Sequence, residues 1–139
     1  MYYHGEGVVQ DNAQAVALFE QAAEAGDAMS ASNLARMYEF GMGIAQDDSR
    51  AAGMYRRAAD LGEASSQYRL SVMYYQGQGV TKDRIEAAKW WTLAMAHSGA
   101  WRESIRASVE SAQSKLSVEE LAEGKRRAAE WTRALESKK

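Results

Sequence analysis

The sequence predicts an all-α protein: a right-handed solenoid of antiparallel helix pairs, an α/α superhelix. Three observations carry this. A 36-residue pattern recurs through most of the chain. Inside each copy the apolar residues fall at helical spacing. Proline is absent, so nothing forces a break within a helix. Helical hairpins of this length cannot bury their apolar faces alone, so consecutive copies must stack.

The period is clearest in three glycine-containing stretches, "GEGVVQD" at 5–11, "GMGIAQD" at 41–47 and "GQGVTKD" at 77–83. The match extends on both sides, through Tyr2, Tyr38 and Tyr74, then Asp11, Asp47 and Asp83, then Ala15, Ala51 and Ala87. A large residue recurs at Phe19, Tyr55 and Trp91, just before Ala22, Ala58 and Ala94. Gly26 and Gly62 close two units, and the third ends irregularly with Gly99 one residue late. In the first helix of a unit Ala31, Leu34, Tyr38 and Gly41 share a face, and in the second Ala51, Met54, Tyr55, Ala58 and Ala59 do so.

The connector follows from this arrangement. Its first glycine is expected to take the left-handed conformation that ends a helix, and its second to let the backbone turn closely. Val8, Ile44 or Val80 is read as a plug between the helices. Asp11, Asp47 or Asp83 caps the second helix, and Asp83 with Glu86, and Asp11 with Gln14, have capping-box spacing. A phosphate-binding loop is disfavoured. The GxxxxGK[ST] pattern is absent, the preceding segment is helical, and the capping Asp would repel phosphate at that helix end.

The run of Ala31, Leu34, Tyr38, Gly41, Gly43, Ile44, Asp47, Arg50, Ala51, Ala58, Ala59 and Gly62 resembles the Sel-1-like repeat, a relative of the tetratricopeptide repeat. Ala35 and Met54 depart from it, where the family prefers glycine and tryptophan; Trp90 restores the tryptophan in the third unit. The resemblance covers roughly residues 1–99. It implies a non-catalytic adaptor that assembles protein complexes. It also implies a soluble setting in the bacterial cytoplasm or periplasm, with relatives in envelope, signalling or host-contact processes.

The chain is expected to form a single domain over 1–139, with units at about 1–26 (truncated), 27–62 and 63–99, and capping helices over 100–137. Met1 aligns with Met37, so the first unit begins mid-helix. The N-terminus is read as a cut from a longer protein, which makes a missing signal peptide uninformative. The alternative is a bare face, carrying Val16, Phe19 and Ala23, that pairs with another copy. At the other end, Trp101, Ile105, Val109 and Ala112 form a stripe over 100–114. Ser117 opens "SVEE", a capping box with Glu120, and the last helix carries Leu121, Ala128, Trp131 and Leu135 on one side. The "KRR" at 125–127 reads as a solvated helix face rather than a docking patch.

Composition narrows the function classes. The net charge is −2 with both signs interspersed, which offers no basic stripe for nucleic acid. Cysteine is absent, excluding disulfides and thiolate metal sites. No apolar run approaches the roughly 20 residues that cross a membrane as a helix. His4 and His97 lie in different units and form no metal-binding pattern. Neither a nucleophile elbow nor a cofactor motif is present. No cofactor is therefore expected, and a hydrolase is the remote alternative to a binding module.

The remaining signal lies on the first helices, away from their packing face, on the side expected to line the concave surface. There Asn33, Arg36, Met37 and Phe40 in one unit correspond to Arg69, Val72, Met73 and Gln76 in the next, with Tyr75 at the rim. Apolar anchors beside arginines suit a protein or peptide ligand. For Met37 and Met73 the favoured reading is burial between neighbouring first helices. Charge reversal of Arg36 and Arg69 together is expected to abolish capture of a partner and leave the melting temperature unchanged.

Overall fold

The computed structural model describes residues 5–99 and 102–138, with side chains from residue 13 onward. Among these residues the chain forms seven helices: α1 Gly5–Glu24, α2 Ala28–Phe40, α3 Asp48–Asp60, α4 Ala64–Gln76, α5 Arg84–His97, α6 Arg102–Gln113 and α7 Val118–Glu136. The pairs α2–α3 and α4–α5 are the two complete hairpins, and they stack with α3 against α4.

The two connectors share one backbone design. Gly41 and Gly77 end their helices in the left-handed region (φ 67° and 73°), each donating its N–H to a carbonyl four residues back, Met37 and Met73. The loops close when Asp47 N–H reaches Tyr38 O and Asp83 N–H reaches Tyr74 O, both at 2.9 Å. The Asp47 carboxylate accepts from Arg50 N, and that of Asp83 from Ile85 N and Glu86 N. Val80 packs against the core as the expected plug, and Ile44 is half-buried. Gly79 has a second role. A Cβ there would lie 2.2 Å from the carbonyl oxygen of Asp48, so one connector rests directly on the start of the preceding unit's second helix.

The first "GxG" stretch behaves differently. Residues 5–11 run straight into α1 instead of bending. In the complete units the bend is held by a hydrogen bond back to the first helix and by packing between the helices. Gly5–Asp11 are continuous with the rest of α1, and helix formation replaces the bend there. Asp11 lies inside α1 and so does not start a helix there, and Val8 is likewise within α1 and not in a connector; Tyr2, His4 and Trp101 lie outside the described residues. Of the face assigned to bare exposure, Ala23 is buried against Ala31 and Ala58, and Val16 and Phe19 are half-buried; Leu18 of the same helix is exposed.

The core is rich in alanine and aromatic residues. Ala35, Ala51, Ala52 and Ala59 let α2, α3 and α4 approach closely around Leu70, Met73 and the fully enclosed Trp90. Enclosing a large apolar side chain contributes about 1.5–3 kcal/mol. Trp90 sits where the preceding unit has Met54, and Arg56 and Lys89 lie over its ring at 5.2 and 4.4 Å. The C-terminal helices form the cap. α7 lies along α5, with Gly124 so close that a Cβ would come within 2.4 Å of Ala88 Cβ. Arg127 pairs with Glu86 at 2.7 Å, and Trp131 meets Trp90 edge-on and donates to Asp60. The Ser117–Glu120 capping box forms as expected.

Candidate protein-binding surface

The sequence-predicted contact residues separate into four groups. Met37 (6% exposed) and Met73 (0%) are interior side chains of α2 and α4 and offer no surface to a partner, as the burial reading holds. Arg69 is the second case. Its Nε donates to Glu39 Oε1 at 3.1 Å and its Nη2 to Glu39 Oε2. Glu39 is 2% exposed and also accepts from Tyr55 Oη (2.8 Å) and Gln78 Nε2 (3.3 Å). Burial opposes ionisation of Glu39, but the bonds from Arg69, Tyr55 and Gln78 overcome it and hold the carboxyl below its usual range. Burial, with the neighbouring carboxylate, pushes the Tyr55 phenol well above its ordinary value.

Arg69 is thus a structural cation that ties α4 to the preceding hairpin. The expectation that its charge reversal would leave the melting temperature unchanged needs correcting, since glutamate there would face Glu39 across a buried contact. Sequence reasoning missed Glu39 itself. The signal was the break in the repeat, glutamate at a position where the next unit has Tyr75.

Val72, Tyr75 and Gln76 form the third group, and they are brought together. With Tyr68 they make one wall of a cleft of about 500 Å³, whose floor includes Trp91 and whose far wall is α6, through Val109 and Ala112, with Lys115 just beyond its end. Tyr75 and Trp91 hold each other at 6.4 Å between ring centres. Asn33, Arg36 and Phe40 lie one unit away and do not line this cleft. Phe40 is 65% exposed, and the Arg36 guanidinium donates to Asn33 Oδ1. The stripe on α6 was legible in the sequence. Its position opposite α4 was not, because that depends on how α6 leaves the third unit.

His97 and the arginines of "KRR" have structural partners. Gln67 is fully buried and donates through Nε2 to Ala59 O, so its Oε1 is left to accept from His97 Nδ1 at 2.9 Å, which places the imidazole proton on Nδ1. Within "KRR", Arg126 pairs with Glu123 and Glu130, and Arg127 with Glu86 and Glu123. Among the described residues no group of three or more His, Cys, Asp or Glu could hold a metal ion, and no helix is long and apolar enough to cross a membrane.

The sequence matches the Sel1 repeat three times in succession, over residues 1–27, 28–63 and 64–97. No curated protein matches it. Among solved structures it is similar to c5321, a protective antigen present in uropathogenic Escherichia coli strains and displaying an SLR fold. That similarity has 26% identity and a TM-score of 0.75, covering 84% of this chain and 24% of that one. It is also similar to a Sel1 repeat protein from Oxalobacter formigenes, with 28% identity and a TM-score of 0.56, covering 76% of this chain and 44% of that one. The chain thus spans a quarter to under half the length of these structures.

Proposed function

Since the chain belongs to the Sel1 repeat family, whose members generally mediate protein–protein interaction and are typically non-enzymatic, we propose that it is a binding scaffold whose contact surface is the cleft between α4 and α6. The observation that carries this is the convergence of Val72, Tyr75, Gln76 and Trp91 on one opening lined mainly by apolar and aromatic groups. Its volume suits the insertion of one or two partner side chains. The walls are helices fixed by packing, so little ordering cost accompanies docking. Phe40, Arg36 and Asn33 extend the same row of first-helix positions toward the N-terminus and would meet a longer partner.

Photo-crosslinking tests this. A benzophenone side chain at Gln76, exposed on the cleft wall, should trap a distinct protein in lysate of the source organism. The same group at Arg133, exposed on α7, should not. Identical products from both positions, or none from Gln76, would refute the assignment of the cleft.

A further inference from the structure

We propose that the cleft receives an extended protein segment in which an apolar or aromatic anchor is followed by acidic residues. This rests on the cleft being the binding surface and adds the chemistry of its occupant. The anchor follows from Val72 and Trp91, which make the middle of the cleft apolar. The acidic preference follows from the end of the cleft where α4 stops.

Three cations gather there. Lys115 lines the cleft itself. Arg84 donates through Nη1 to the Lys115 carbonyl at 3.3 Å, which brings its guanidinium to the same end. Lys82 follows because its Cβ lies 3.2 Å from the position a Cβ on Gly77 would take, immediately beyond Gln76. All three are exposed. None forms an ion pair with a carboxylate among the described residues, whereas Arg50, Arg56, Arg106 and Arg126 on other faces each do. Three of the carboxylates around this end of the cleft hold structural partners. Asp83 caps α5, Glu86 pairs with Lys89 and Arg127, and Glu120 closes the capping box with Ser117. The end of the cleft therefore presents three exposed cations that are outside the ion pairs of the described residues. An acidic segment leaving the apolar floor gains attraction there, and a basic one is repelled.

The test is selection of a random dodecapeptide library on the immobilised chain, with Val72→Glu and the triple variant Lys82→Glu/Arg84→Glu/Lys115→Glu as parallel baits. The expected winners carry an aromatic or aliphatic residue with Asp or Glu on one side. They should be lost on Val72→Glu and bind the triple variant roughly tenfold more weakly at low salt, a difference that narrows as salt rises. Winners that need Val72 yet show no acidic bias would overturn the charge inference and leave the cleft assignment standing. Winners indifferent to Val72→Glu, or no enrichment at all, would overturn the cleft assignment itself. Circular dichroism of each bait separates lost binding from lost folding.

Discussion

Replacing Arg69 by methionine should expose how the two hairpins are joined. Removing one partner of a buried ion pair costs about 3–5 kcal/mol, because the other charge is left in a poorly solvated place. Here the Arg69 side chain is 31% exposed, and Tyr55 and Gln78 still donate to Glu39. The expected loss is therefore smaller, about 2–3 kcal/mol, or roughly 6–12 °C in melting temperature for a chain of this size. Glu39→Gln should cost less, about 1 kcal/mol, since a partly exposed guanidinium can turn to water. The double variant should be more stable than Arg69→Met alone, because no buried charge then lacks a partner.

The pH dependence gives the same mechanism a second readout. In the native chain the Glu39 carboxyl lies below its usual range despite burial, through the bonds from Arg69, Tyr55 and Gln78. Its ionised form contributes stability above the unfolded-state value of about 4.3, and that contribution is lost as pH falls through the lowered native value. In Arg69→Met burial dominates and the native value rises above the unfolded one. The folded variant then takes up a proton as pH falls, so its deficit should shrink between about pH 7 and pH 4. Urea denaturation of the four proteins at both pH values measures this. A single variant within about 0.5 kcal/mol of the parent, or a double variant no better than Arg69→Met, would refute the buried-pair argument.

Two further perturbations test the close backbone and helix approaches. Gly79→Ala should cost about 3 kcal/mol or more, since its Cβ would strike the Asp48 carbonyl. Gly26→Ala, at φ 96° in open space, should cost only about 1 kcal/mol; equal losses in urea denaturation would mean that the second connector does not rest on the start of α3. Gly124→Leu should push α7 off Ala88 and red-shift tryptophan fluorescence as Trp131 leaves Trp90, and an unchanged spectrum would count against that docking.

Much of the solenoid was legible because it is written three times. Gly41 and Gly77 end helices, and Asp47 and Asp83 start them, through interactions within about ten residues along the chain, and such local chemistry repeats with the sequence. The first stretch shows the limit of that logic. Residues 5–11 carry the same glycines and aspartate, yet α1 runs straight through them. The candidate site was legible in part for a related reason. Helical spacing placed Val72, Tyr75 and Gln76 on one side of α4, but periodicity alone does not separate a side chain that faces solvent from one that faces the next helix. Met73 and Arg69 sit among those residues in sequence and are respectively enclosed by the core and bound to Glu39.

The positions that break the repeat explain why a cleft opens at one interface and not the other. Glu39 and Tyr55 correspond, 36 residues on, to Tyr75 and Trp91. At the first interface the carboxylate draws Arg69 and Gln78 over itself, and the space between hairpins is filled by a charged network. At the second, Tyr75 has no charge with which to recruit a neighbour. It pairs with Trp91 instead. The second interface therefore keeps an apolar opening between α4 and α6, while the first is closed and sensitive to protonation. It follows that Arg69→Met, although only a few residues from Val72, should act on the stacking of the hairpins and leave the lining of the cleft intact. Its binding per folded molecule should match the parent's, and a loss beyond the unfolded fraction would mean that the two interfaces are coupled.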